Sequence, residues 1–203
     1  MLFFYFSELL FAMALEMFLI LLFELQIVIM LIIPLFYLRL VKRMSWGKIK
    51  KNLLPKYQGH KKEILGSLKL LGALLLTFIL IMVAVGVAEN VFGVGLNDLA
   101  KVDNTVGHEL AFNAVYFLLT LPVAVFAEEF LFRVFLVPRV GVAISTIIFG
   151  VLHFGYGSWL EILGALVLGL VLAYWFKKHK SFLQNFMGHI MYNAIAIAIY
   201  ALA

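Results

Sequence analysis

The chain of 203 residues contains no cysteine. That excludes disulfides, thiolate metal sites and a cysteine nucleophile, and leaves the compartment open. Charge is scarce as well: Asp, Glu, Lys and Arg make up 13% of the residues, where soluble domains carry about 25%. Internal repeats and low-complexity segments are missing. A basic leader is missing too. Met1–Leu38 is too long for a cleaved signal peptide and carries Glu8, Glu16 and Glu24, so no such peptide is expected.

What fills the chain is apolar. Hydrophobic residues make up 65%, and the mean hydropathy is +1.09. Soluble domains run near 45–50% apolar. Several runs reach the roughly 18 residues that span lipid. The expected fold is an all-α polytopic membrane protein, a bundle of about six transmembrane helices enclosing a buried polar cavity. Residues 1–203 are expected to form one integral membrane domain.

The expected spans are one within Met1–Leu38, then Leu65–Ala88, Leu110–Val137, Val140–Phe154, Trp159–Phe176 and Phe182–Ala203. A continuous helix over Met1–Leu38 would be roughly 57 Å long against a ~30 Å hydrocarbon core. Part of it must therefore project, bend near Pro34 or lie in the interface. Ala165 and Gly169, four apart in the fifth span, allow close helix approach. Trp159 and Trp175 fall at its two ends, where aromatic belts sit.

The connections differ in charge. Nine of the 16 Lys and Arg residues lie in Arg39–Lys62. Glu89–Glu109 carries Glu89, Asp98, Asp103 and Glu109 against Lys101, Phe154–Ser158 is uncharged, and Lys177–Lys180 is basic again. Nucleic-acid binding is one reading of the basic run. The apolar segments on both sides favour a cytoplasmic loop that obeys the positive-inside rule, with which binding to anionic headgroups is compatible. Basic and non-basic connections alternate, which places both termini outside and leaves no nucleic acid among the expected partners.

Three stretches break the apolar pattern. In Phe126–Phe135, FAEEFLFRVF, two glutamates and an arginine sit where each charge costs about 2.5–3.5 kcal/mol at the bilayer centre. Glu129 and Arg133 are i,i+4 neighbours on a helix, so they can pair. Glu128 is turned about 100° away and faces elsewhere. An unpaired carboxylate in a dry pocket suits general acid–base work. In Phe149–Gly155, FGVLHFG, His153 is the single ionisable group of its span, flanked by Gly150 and Gly155, which permit close helix approach. In His189–Asn193, HIMYN, the histidine and the asparagine share one helix face. Taken singly, these are also what salt bridges and interhelical hydrogen bonds would leave in a membrane sequence. Depth joins them. Counted from the expected cytoplasmic ends, Glu128, His153, His189 and Asn193 lie roughly 14, 20, 11 and 17 Å into the membrane. A carboxylate, two histidines and an amide in one slab have the content of a hydrolytic site.

In this order the three stretches resemble the motifs of the CPBP family of intramembrane proteases, which includes the CAAX prenyl endopeptidases and the bacteriocin-processing (Abi) enzymes. The motifs are Glu-Glu-x-x-x-Arg, Phe-x-x-x-His and His-x-x-x-Asn. The resemblance covers residues 126–193, the expected catalytic core. It implies peptide-bond hydrolysis by a glutamate-activated water on a peptide or protein substrate, prenylated or not. By position, Glu128 corresponds to the catalytic glutamate and Glu129 to the one that pairs with Arg133. His153 would orient the water, and His189 and Asn193 would donate to the oxyanion. No cofactor is favoured. Zinc held by Glu128, His153 and His189 is the alternative, but it lacks a base. The other carboxylate expected nearby is Glu129, tied to Arg133. Two further readings stand beside this one: a transporter or proton relay, which also places carboxylates and histidines in the membrane, and a non-catalytic immunity or scaffold protein of the same fold. A relay along the first span is disfavoured, because Glu8, Glu16 and Glu24 wind about 80° per step into a spiral.

Overall fold

The structure, a computed structural model, describes residues 17–18, 21–22, 24–53 and 57–202. Glu8 and Glu16 lie outside the described residues. The described elements are helical, with no strand among them. In chain order they are α1 (Glu24–Val41, closing in a π turn over Tyr37–Val41), α2 (Trp46–Leu53), α3 (His60–Phe92) and α4 (Ala100–Glu128). A π-helical segment, Glu129–Leu136, leads into α5 (Val137–Leu152). A 3₁₀ turn over His153–Tyr156 precedes α6 (Trp159–His179), and α7 (Phe182–Leu202) follows.

Four of these helical stretches are long and apolar enough to cross a membrane: Glu24–Val41, His60–Phe92, Ala114–Gly155 and Trp159–His179. The third, of 42 residues, is not one rod. Gly141 takes φ 84 and ψ 172, outside the helical region and readily reached only by glycine. The Ser145 hydroxyl donates to the Phe132 carbonyl at 2.7 Å. Thirteen residues of straight helix would hold those groups about 20 Å apart, so the chain doubles back. The bundle is apolar outside and partly polar inside. Leu76, Ile79, Leu80 and Val83 of α3 are exposed, while Glu129 and Arg133 are fully buried. That arrangement suits lipid as solvent.

Several boundaries differ from the apolar-run reading. The helix that carries the third span starts well before Leu110: α4 begins at Ala100, so most of the expected Glu89–Glu109 loop is helix and the true connection is 93–99. Its start is polar, and hydropathy gives no sign of a helix that continues past the lipid. Likewise, α3 runs from His60 to Phe92, beyond Leu65–Ala88 at both ends. It stops at Gly93, whose left-handed φ of 66 lets its N–H close on the Glu89 carbonyl at 2.9 Å. The basic Arg39–Lys62 stretch, read as a loop, contains α2. The fourth span yields its helix at Leu152 rather than Phe154.

The connections sort by charge to two ends. Gln58 donates to the His179 carbonyl at 2.5 Å, and the Ser181 hydroxyl donates to Glu63, so the two basic connections meet. Arg139, in the first turn of α5, donates to the Asn52 side chain of α2 at that end too. At the other end Asp98 reaches across to the start of α6. Its carboxylate accepts from the Ser158 hydroxyl at 2.6 Å, from Trp159 N–H at 3.0 Å and from Leu160 N–H at 3.1 Å. Ser158 in turn accepts from Glu161 N–H at 3.1 Å, which completes the cap. The Ser158 hydroxyl, those N–H groups and Lys101 hold the Asp98 carboxyl well below its ordinary range, against a smaller opposing effect of desolvation.

Candidate active site

The site is assembled where α4 passes into the π-helical segment. α-Helical pairing gives way to i→i+5 bonding at Glu129, a feature that recurs at functional sites. Glu129 and Arg133 are both 0% exposed, with Arg133 Nε 3.4 Å from Glu129 Oε2. The second glutamate oxygen is also taken: His189 Nδ1 lies 2.9 Å from Glu129 Oε1. A carboxylate can only accept, so Nδ1 carries the hydrogen and Nε2 is the nitrogen left for chemistry. That Nε2 lies 4.0 Å from Glu128 Oε2. One histidine of α7 therefore bridges both glutamates of α4 and its π extension. The i,i+4 pairing expected for Glu129 and Arg133 is present, and Glu129 has His189 as a second partner that helix arithmetic did not foresee.

His153 opens the 3₁₀ turn after α5. Its Nδ1 donates to the Phe149 carbonyl at 2.9 Å, which again leaves Nε2 as the basic nitrogen of the neutral ring. Phe149 is the hub of the cluster. Its ring centroid is 4.6 Å from the His153 ring, 6.3 Å from the His189 ring and 4.3 Å from the Arg133 guanidinium carbon. Small residues make room for it. A Cβ at Gly169 would fall 2.7 Å from the Phe149 ring, and one at Gly150 would strike Leu166 at 2.5 Å. Gly150 thus permits the close approach of α5 and α6 expected for it, and Gly169 permits that expected for the fifth span. Gly155 does not share the role, since nothing lies within 4 Å of its would-be Cβ.

Asn193 sits one turn beyond His189 on α7 and is half-buried. The structure gives it no hydrogen bond to the other candidate residues. Glu161, on the first turn of α6, was not anticipated. It lies within electrostatic reach of both His153 and Glu128, and Tyr192 of α7 lies within reach of it. Glu129 is therefore not the sole further carboxylate near Glu128. Its position at a span end makes Glu161 look interfacial. The signal that could have found it is the short connection from His153, which returns the chain to the same level.

Among the described residues, no group of three or more His, Cys, Asp or Glu side chains is arranged to hold a metal ion. Residues 110–195 match the family model described as Type II CAAX prenyl endopeptidase Rce1-like. The matched segment contains Glu128, Glu129, Arg133, His153, His189 and Asn193. No curated protein and no solved structure matches the chain.

Proposed function

On the premise that its core, residues 110–195, belongs to the CPBP family of intramembrane proteases, we propose that this protein hydrolyses a peptide bond of a CAAX-type or related substrate at the membrane with a glutamate-activated water. The supporting observation is the His189 bridge, in which ring Nε2 lies 4.0 Å from Glu128 while Glu129 fixes the ring from the other side. Glu128, 21% exposed, is the carboxylate with room for a water. In this reading the water donates one hydrogen to Glu128 and the other to His153 Nε2. Glu128 takes the proton as oxygen attacks the carbonyl carbon, and returns it to the leaving amine. The oxyanion is met by the Asn193 amide and by His189 Nε2–H in the charged ring. Glu129 orients that ring and balances its charge, as a carboxylate does behind a catalytic histidine. Arg133, 3.4 Å from its carboxylate, holds Glu129 in place.

The orientation belongs to the same proposal. With the basic connections gathered at one end, the positive-inside rule sets that end in the cytoplasm and both termini outside. The test of function is cleavage of a panel of prenylated and plain peptides by purified protein, with Glu128→Gln as control. Cleavage by the wild type and none by the variant is expected. No cleavage of any peptide by a folded wild type, or wild-type turnover in Glu128→Gln, overturns the reading.

A further inference from the structure

The segment Arg39–Lys62 holds nine cations and no carboxylate. Within it α2 seats itself on the bundle through Ile49 and Leu53, both buried in the main apolar core. Lys48, Lys50 and Lys51 are exposed, as is Trp46 at 61%. At about 100° per residue, Lys51 falls on the side opposite Ile49 and Leu53, with Lys48 and Lys50 on the two flanks. Among the described residues, none of Arg39, Lys42, Arg43, Lys48, Lys50 and Lys51 pairs with a carboxylate of this chain. Glu63, the nearest in sequence, is buried and occupied by Gln58 N–H and the Ser181 hydroxyl. Arg39 and Lys42 lean instead on aromatic rings, 5.9 Å from Trp46 and 5.7 Å from Tyr37.

Place decides what those cations meet. α1 ends at Val41 and α3 begins at His60, and both are candidate spans. α2 therefore lies at the end of the bundle where these two spans are joined. Asn52, hydrogen-bonded to Arg139 in the first turn of α5, fixes α2 there. An exposed tryptophan beside lysines is the composition of a helix that reads a membrane surface, indole at the headgroup boundary and ammonium groups on phosphates. We propose that α2 and its flanks form a binding surface for anionic phospholipid headgroups. A soluble polyanion would use the lysines but has no use for the exposed Trp46. The proposal does not depend on the peptidase reading.

The test is thermal melting of the purified full chain in neutral detergent, titrated with phosphatidylglycerol or phosphatidylcholine, for the wild type and for Lys48→Gln/Lys50→Gln/Lys51→Gln. The substituted side chains point away from the core, so the unliganded melt should barely change. Phosphatidylglycerol should raise the wild-type Tm and phosphatidylcholine should not. Each lysine removed should raise the lipid concentration at half-effect by on the order of fivefold, about a hundredfold for three. The wild-type response should weaken as salt is raised, because the charges are screened. Equal responses to the two lipids, or equal half-effect concentrations for the two proteins, would overturn the proposal. So would a Tm shift produced by inorganic phosphate or a duplex oligonucleotide and not by phosphatidylglycerol. Should the triple variant fail to fold, the salt titration of the wild type decides: a phosphatidylglycerol response that persists unchanged in high salt refutes an electrostatic surface.

Discussion

Replacing Glu129 by glutamine keeps the shape of the side chain and removes the charge that pairs directly with Arg133. Both residues are 0% exposed, so Arg133 cannot turn to water for solvation. Three guanidinium nitrogens already lack hydrogen-bond partners, with Glu129 Oε2 beside them, and ion pairing is what remains to compensate the cation. Breaking a buried pair from one side costs about 3–5 kcal/mol, because a charge is left behind in low dielectric. For a chain of this length each kcal/mol lowers Tm by about 2–4 °C, so Glu129→Gln should melt about 6–20 °C below the wild type. Adding Arg133→Met removes the stranded charge as well. With neither charge left in the buried pair, the double variant should recover most of the loss. Glu128→Gln is the contrast. At 21% exposure, with its one close partner 4.0 Å away, it should melt within a few degrees of the wild type while turnover is abolished. Thermal melts in detergent, read beside peptide turnover, separate these outcomes. A double variant melting as low as Glu129→Gln would refute the stranded-charge argument.

Cysteines introduced one at a time into this cysteine-free chain should report the orientation: Lys51→Cys and Lys178→Cys labelled from the cytoplasmic side, Asp98→Cys from outside. Labelling of Lys51→Cys from outside would invert the bundle. Asp98→Asn should lower the melting temperature at neutral pH by uncapping α6. The Asp98 carboxyl is held below its ordinary range, so its contribution is fully present above about pH 4 and is lost as the pH falls further. The melting difference between variant and wild type should therefore stay constant from neutral pH down to about 5 and close only in stronger acid. A difference that closes between pH 8 and 6 would assign the effect to another group. Dialysis of the purified protein against a strong chelator, with metal content measured before and after, should leave turnover unchanged. Turnover that tracks one equivalent of zinc, lost on removal and restored on return, would reinstate the ligand set of Glu128, His153 and His189.

The polar residues of the site were legible because they stand out. Glu128, Glu129, Arg133, His153 and His189 interrupt runs of Leu, Phe, Val and Ile, and helix rise counted from the expected cytoplasmic ends put Glu128, His153, His189 and Asn193 in one slab. The paired carboxylate and guanidinium followed from i,i+4 spacing. The missing parts are those that an apolar-run reading cannot register. The polar start of α4 over 100–109 continues a helix beyond the lipid. The amphipathic α2 is hidden inside a basic stretch whose two apolar anchors, Ile49 and Leu53, are four apart. The fold-back itself was expected between the third and fourth spans, over Val137–Val140, and the structure places its non-helical residue at Gly141. Glu161 was hidden for another reason. A charge at the end of a span reads as solvated, and what draws it into the site is a tertiary relation between α6 and the turn that carries His153.

The polar groups of the site do not hold one another in place unaided. His153 and His189 sit on different helices and have no hydrogen bond to each other in the structure. Each is fixed through Nδ1, one by a backbone carbonyl and the other by a buried carboxylate. What brings the two rings and Arg133 together is Phe149, a side chain with no chemistry of its own. Its position is possible because Gly169 offers no Cβ where the ring must pass. The Ser145–Phe132 hydrogen bond then clamps α5, and with it Phe149 and His153, onto the segment that carries Arg133. In lipid no hydrophobic force drives one apolar helix onto another, so close packing and a few buried polar bonds must do it. The same contacts that close the bundle therefore set the aim of both Nε2 atoms. A packing change at Gly169 or Ser145 reaches the site through Phe149 without touching a charged residue.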